Sequence, residues 1–362
     1  MSPQRYFFDS VQGQPWRAQG LEFLSLAASR GYASPAGFHH EAAEARLLGE
    51  TALASIKNSL GLLDQTLIPI HTMQSAFRVA LAAIPSDAKI WVNPTIRRGL
   101  RDLVCNERPA AVLGRVDSSG RVDVSSIPAG TEWIVTSATN IETGVIDDWT
   151  LIRGTRPDLR ETQVWLEATE WFGRAEPAIP YDIAVACSNS WAGPMSCAWI
   201  LDASNCLPPL TVRELQRITP DLAILTASAG ALEQTTAEFS HHLAQARTGK
   251  KLLIEQLSVL PGITFIGNCE TSAPHLLSFT VHHVDSEAVT TAMNAAGFAI
   301  GTDSACVTGA GERSHVLEAM GIAEHAGHVR ISSAIENTVV EWQELATTLV
   351  RVIQNLQEIT AR

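Results

Sequence analysis

Lysine is scarce in this chain of 362 residues, which holds only Lys57, Lys89, Lys250 and Lys251. Any chemistry that needs a lysine amine therefore has few places to be. Positive charge as a whole is in deficit, with 26 Lys plus Arg against 38 Asp plus Glu and a formal charge of −12. That balance argues against a broad electrostatic surface for nucleic acid or anionic membrane. No uninterrupted apolar run approaches bilayer-spanning length, and the opening MSPQRYFFDSVQGQPWR lacks the apolar core of a signal peptide, so a cytoplasmic protein without a membrane partner is expected. The six cysteines, at 105, 187, 197, 206, 269 and 306, form no CxxC pair. Neither a zinc ribbon nor a disulfide framework is suggested, and free thiols are expected. Internal repeats and low-complexity tracts are also lacking.

What is present is the composition of an ordinary globular protein, 46% hydrophobic and 18% charged, in a chain long enough for two lobes. EAAEARLLGETALASIKNSL, from Glu41 to Leu60, spaces Ala and Leu as an amphipathic helix does. Short apolar runs then alternate with helical patterns: KIWV from Lys89, AAVLGRV from Ala110, EWIVTS from Glu132, VWLEA from Val164, DIAVA from Asp182 and AWILD from Ala198. This rhythm predicts an α/β domain around a mostly parallel sheet. A long helical stretch is predicted from about Asp221 to Val259. A different pattern follows: strands ITFIG, HLLSFTV and FAIGTD, helices from Ser286 and Ser314, strand HVRISS and a last helix from Val339. The expected division is a large α/β domain over 1–255 and a small α+β domain over 256–362, the N-terminal segment being a candidate to join the small one.

In such sheets ligands sit beyond the carboxyl ends of the strands, which directs attention to the loops after TSATNIETG, WLEATE and IAVACSNS. A second candidate is the segment from Gly301 to Gly321, GTDSACVTGAGERSHVLEAMG, where Cys306 follows a strand among small, flexible residues. A cysteine in such a loop is either a swinging nucleophile able to carry a persulfide or a small buried apolar residue.

That segment resembles the cysteine desulfurase motif of the class V aminotransferases, a Ser-Ala-Cys loop followed by Ser-His-Val-Leu and Met-Gly. The resemblance implies a fold-type I fold that binds pyridoxal phosphate (PLP), and a loop cysteine that takes sulfur from PLP-bound cysteine as a persulfide. Sulfur-acceptor proteins of iron–sulfur cluster or tRNA-thiolation pathways would be the partners. The spacing from Cys306 to Ser314 resembles the subgroup with a long, mobile loop. HVRISS resembles the strand whose arginine holds the substrate carboxylate, which gives that role to Arg330, against a structural ion pair as the plainer alternative.

At the cofactor positions the chain departs from the family. NIETGVIDD resembles the Asn-Asn-Glu-x-Gly-x-x-Gln loop and keeps Asn140. VWLEATEWFGR resembles the strand that pairs an aspartate with the pyridine nitrogen and a glutamine with the ring oxygen; here those positions read Glu167 and Glu170. Two carboxylates so close are expected to raise each other's pKa, or else to lie in a solvated acidic loop. CSNSWAGP resembles Ser-x-His-Lys-x-x-Gly-Pro, in which Ser188 is kept, Asn189 replaces the histidine and Ser190 replaces the Schiff-base lysine. A hydroxyl cannot form an imine. HTMQSAFRVAL resembles the phosphate loop, with Gln74 at its threonine, and Arg97 of WVNPTIRRG stands at the ring-stacking histidine. The resemblance thus implies a degenerate homologue in sulfur transfer that uses Cys306 as persulfide carrier or partners an active paralogue, as homodimer or heterodimer. The alternatives are an active PLP-dependent desulfurase and a non-catalytic scaffold.

Overall fold

The computed structural model describes residues 5–175, 180–215, 221–302, 314–322 and 326–360. Its twelve strands are β1 (Tyr6–Phe8), β2 (Thr66–Ile70), β3 (Ile90–Val92), β4 (Val112–Leu113), β5 (Trp133–Ser137), β6 (Gln163–Glu167), β7 (Ile183–Cys187), β8 (Ala198–Asp202), β9 (Ile263–Phe265), β10 (Leu276–His282), β11 (Phe298–Thr302) and β12 (Ala326–Ser332). Seven form one sheet in the order β2-β8-β7-β6-β5-β3-β4, in which β4, β3, β5, β6 and β7 are parallel neighbours and β8 runs antiparallel to both β7 and β2.

Both faces of this sheet are covered, which is why its strands read as near-continuous apolar runs. Along β6 and β7 the side chains alternate between two cores. Val164, Leu166, Ala184 and Ala186 pack into one with Trp199, Leu225 and Leu232, and Trp165, Ile183 and Val185 pack into the other with Phe77, Leu81 and Leu100. Sequence patterning misses β2, because TLIPI contains a proline. Pro69 is tolerated because β2 lies at the sheet edge, where a missing backbone donor costs no ladder bond.

The second sheet has the order β1-β11-β12-β10-β9. The N-terminal segment enters it through β1, parallel to β11 with Tyr6 opposite Phe298 and Phe8 opposite Ile300. The helical stretch predicted from Asp221 to Val259 is observed as two helices, Leu222–Ala237 and Phe239–Leu257, broken at Glu238. The first packs on the helices Ala18–Arg30 and His40–Leu60. The second lies on the C-terminal helix Val339–Thr360, where Gly249 meets the Trp342 ring so closely that a Cβ would come within 2.2 Å of it. Leu253 and Leu257 thereby join the core of the second sheet. Among the described residues no helix is long and apolar enough to cross a membrane.

Candidate functional site

The parallel strands β5, β6 and β7 end side by side, with Ser137 opposite Glu167 and Glu167 opposite Val185. Their carboxyl ends deliver Asn140, Glu167, Glu170, Ser188 and Ser190 to one cleft, where ligands of open α/β sheets sit. Asn140 is consumed in building its own loop: its amide donates to the Thr95 carbonyl at 2.7 Å, and its Oδ1 accepts from the Glu142 and Thr143 amides at 2.9 Å each.

Glu167 and Glu170 do not form a solvated acidic loop; both are buried, at 1% and 2% exposure. Their carboxyls also diverge: the Glu170 charge adds to the upward push on Glu167, while Glu170 itself is held down. Burial pushes the Glu167 carboxyl up, against the opposing pull of Arg97 and the Thr169 hydrogen bonds. Burial works on Glu170 in the same sense, but a hydrogen bond with His275 and the Arg174 charge outweigh it and hold that carboxyl below its ordinary value. The partners explain the split. Glu170 Oε2 lies 3.1 Å from His275 Nε2 and 4.0 Å from Arg174 Nε. Glu167 Oε1 accepts from the Thr169 hydroxyl and, at 3.2 Å, its amide, while Arg97 Nε stands 3.9 Å away. Burial and the Arg174 charge bring the His275 pKa down to about 4, so the ring is neutral near pH 7 and donates through Nε2.

Arg97, placed at the ring-stacking position, thus turns its guanidinium onto the carboxylate that would otherwise face a pyridinium nitrogen. Its Nη2 also donates to the Thr169 hydroxyl at 3.2 Å. Gln74 is exposed in the first turn of the helix Met73–Ala83, and its Oε1 lies beside Gly99 at the start of the helix Arg98–Glu107.

Ser188 departs from the role its alignment gives it. Its hydroxyl donates to the Cys197 carbonyl at 2.9 Å and accepts from Trp199 Nε1 at 3.0 Å, with Ser228 Oγ at 2.6 Å taking its remaining lone pair. A hydroxyl has one hydrogen and two lone pairs, so this one has no capacity left for a phosphate. Ser190 is completely buried, and its Oγ has no hydrogen-bond partner among the described residues, like Glu167 Oε2 and Asn189 Oδ1 nearby in sequence. Elsewhere, Lys250 is bonded to Ser272 and Ala273, and Lys251 faces Glu255. Without an amine in place of Ser190, with Ser188 saturated and Arg97 set against Glu167, these residues do not fit a lysine-linked PLP.

Arg330 is fully buried on β12, and its Nη2 donates to Asp9 Oδ1 at 2.8 Å. Cys306 lies outside the described residues. On β11 Gly301 pairs with Arg330, and Ser314 caps the helix His315–Ala319. Ser314 Oγ donates to the Glu142 carboxylate and His315 Nε2 to the Ile96 carbonyl at 2.8 Å. The five described cysteines, Cys105, Cys187, Cys197, Cys206 and Cys269, are free, and burial pushes every one of their thiols above the ordinary value.

Sequence reasoning missed His275, Arg174, Thr169 and Asp9. The first three stabilise the two glutamates, and only the sheet brings His275 to Glu170 across 105 positions. The N-terminal segment is the other omission: Ser10 accepts from Arg174 at 2.8 Å through Oγ and from Asn189 at 2.9 Å through its carbonyl, so the segment ties both lobes to the cleft.

Residues 217–345 match the aminotransferase class-V family. A cysteine desulfurase of Rhodobacter capsulatus is 29% identical over 39% of this chain and 37% of its own length. The cysteine desulfurase NifS of Azotobacter vinelandii is 27% identical over 29% of this chain and 25% of its own. The chain thus matches between a quarter and little more than a third of the length of these relatives. In three dimensions it superimposes on a NifS-like protein with a TM-score of 0.86 at 19% identity, over 98% of this chain and 100% of that one. The apo cysteine desulfurase of Thermococcus onnurineus gives 0.81 at 14% identity, over 97% and 95%. The chain is therefore related to the cysteine desulfurases and has the NifS-like fold, a mixed α/β fold with a mostly parallel sheet.

Proposed function

We propose that this chain works in sulfur transfer as a cysteine desulfurase relative that no longer desulfurates cysteine itself, and that Cys306 accepts sulfur made elsewhere. The observation that carries this reading is Ser190, a buried hydroxyl where the related enzymes place the lysine of the Schiff base, in a cleft whose other cofactor positions are engaged within the protein. The five described thiols are all pushed up by burial, which favours Cys306 as the sulfur-handling residue. In the transfer, the Cys306 thiolate attacks the terminal sulfur of a donor persulfide, a new S–S bond forms, and the donor leaves as its thiolate. The donor is an active desulfurase paralogue, alone or as the other half of a heterodimer, and the acceptor is a protein of an iron–sulfur cluster or tRNA-thiolation pathway. The related enzymes use PLP, and we assign it no step here.

The test is to incubate the purified chain with PLP and L-cysteine and to measure sulfide and alanine. Neither should form above the rate of free PLP. Stoichiometric, catalytic release of both would identify an active desulfurase and overturn the reading.

A further inference from the structure

Glu167 is buried at the end of β6, and its counter-charge comes from its own chain. Arg97 reaches it in two ways. Its Nε stands 3.9 Å from Glu167 Oε1, and its Nη2 donates at 3.2 Å to the Thr169 hydroxyl, which donates in turn to the same Glu167 oxygen. The hydroxyl accepts from the cation with a lone pair and passes its one hydrogen to the carboxylate, a relay that its chemistry allows. Arg97 keeps 31% of its side chain exposed against 1% for Glu167, so the cation is the more outward of the pair.

The backbone that presents Arg97 is fixed on both sides. Before it, the Ile96 carbonyl accepts from His315 at 2.8 Å and the Thr95 carbonyl from Asn140 at 2.7 Å, while Thr95 is folded onto Asn93 Oδ1 through its amide at 3.0 Å and its hydroxyl at 2.8 Å. After it, the Arg97 carbonyl accepts from the Leu100 and Arg101 amides at 2.9 and 3.0 Å as the helix Arg98–Glu107 begins. Only the side chain has to be ordered to set the guanidinium against Glu167.

We propose that Arg97 is the residue that excludes PLP from this cleft: its guanidinium has replaced the cofactor ring as the cation of Glu167, so the buried carboxylate has its partner with no ligand present. A protonated pyridine ring and a guanidinium are both flat cations, and a single buried carboxylate does not take both, because the two would repel at short range where water screens them little. Loss of a lysine at position 190 is then only half of the change, and restoring it is not enough to recover the cofactor. The inference rests on the reading of Glu167 and Ser190 as former cofactor positions, and neither Cys306 nor sulfur transfer enters it.

The test compares Ser190→Lys with Ser190→Lys/Arg97→His. Each full-length variant is titrated with PLP, the imine is reduced with borohydride, and the adducts are mapped by mass spectrometry. The double variant should be labelled at position 190 with a half-saturating PLP concentration at least about tenfold lower than that of the single variant. Ser188 is the same in both, so its lack of capacity for a phosphate cancels. Equal half-saturation, or label at position 190 in neither variant, would overturn the proposal. A second measurement needs no cofactor and reads the ion pair itself: thermal unfolding of Arg97→Ala in the parent and in a Glu167→Gln chain. The drop in midpoint caused by Arg97→Ala should shrink by at least about half once Glu167 is replaced. Equal drops in the two chains would show that Arg97 is not the counter-ion of Glu167. Persulfidation of Cys306 by an active desulfurase tests the sulfur-transfer reading separately, and neither comparison bears on it.

Discussion

Asp9 on the N-terminal segment and Arg330 on β12 form an ion pair of 2.8 Å in which the guanidinium is completely buried. Gly301 of the neighbouring strand makes room for it, since a Cβ there would stand 2.6 Å from Asp9 Oδ1 and 2.8 Å from Arg330 Nη2. The arginine that the sequence assigns to a substrate carboxylate thus has a carboxylate of its own chain. Removing one partner of such a pair weakens the compensation of a buried charge, so Asp9→Asn is expected to cost about 2–4 kcal/mol. Urea unfolding of the two proteins checks this; an unchanged midpoint would show that the pair contributes little.

Ser188 holds together the layer beneath the cleft rather than a ligand within it. Ser188→Ala removes the nearer of the two acceptors of Trp199 Nε1, leaving Ser228 Oγ at 3.3 Å, and a partner of Ser228, and is expected to destabilise the protein by about 1–3 kcal/mol. The same denaturation measurement reads it, and PLP or inorganic phosphate should not change the difference between the variant and the parent.

Acid should unfold the protein early. Burial brings His275 and His315 to about 4 and His328 to about 3. Each is a depressed base, so the unfolded chain binds protons near pH 6.5 that the folded chain refuses, and stability falls as pH drops through that window. By pH 5 each costs about 2 kcal/mol relative to pH 7.5. A stability profile flat from pH 7.5 to pH 5 would contradict these environments.

Asp147 acts in the opposite direction. Its carboxyl is buried, accepts one bond from the Val122 amide at 3.0 Å, and is raised by burial to about 6. A raised acid is most stabilising while protonated, and that contribution is lost as pH climbs from about 4 through 6. Asp147→Asn keeps the acceptor without the charge and is expected to stabilise the protein by about 2–3 kcal/mol at pH 8, with little effect at pH 4. Thermal unfolding at the two pH values separates this from a simple packing change.

Much of this was legible from sequence because burial on both faces writes strands as apolar runs. KIWV, EWIVTS, VWLEA, DIAVA and AWILD all lie on observed strands, and Ser314 caps the helix expected there. The Pro69 strand was not legible, since its tolerance depends on being at an edge, a property of the sheet and not of TLIPI. Nor was the break at Glu238, where helical patterning runs on either side of one residue with φ −103° and ψ 9°. At the cleft, aligned loops located the residues but not their protonation. The opposite behaviour of Glu167 and Glu170 comes from Arg174 and His275 beside Glu170, and His275 reaches it only through a tertiary contact.

The most direct test of the central claim is mass spectrometry of the Cys306 peptide after incubation with L-cysteine and PLP, with and without an active cysteine desulfurase. A persulfide on Cys306 is expected only when the active enzyme is present. A persulfide formed by the chain alone would establish that it desulfurates cysteine after all, and an unmodified Cys306 in both incubations would remove it from sulfur transfer.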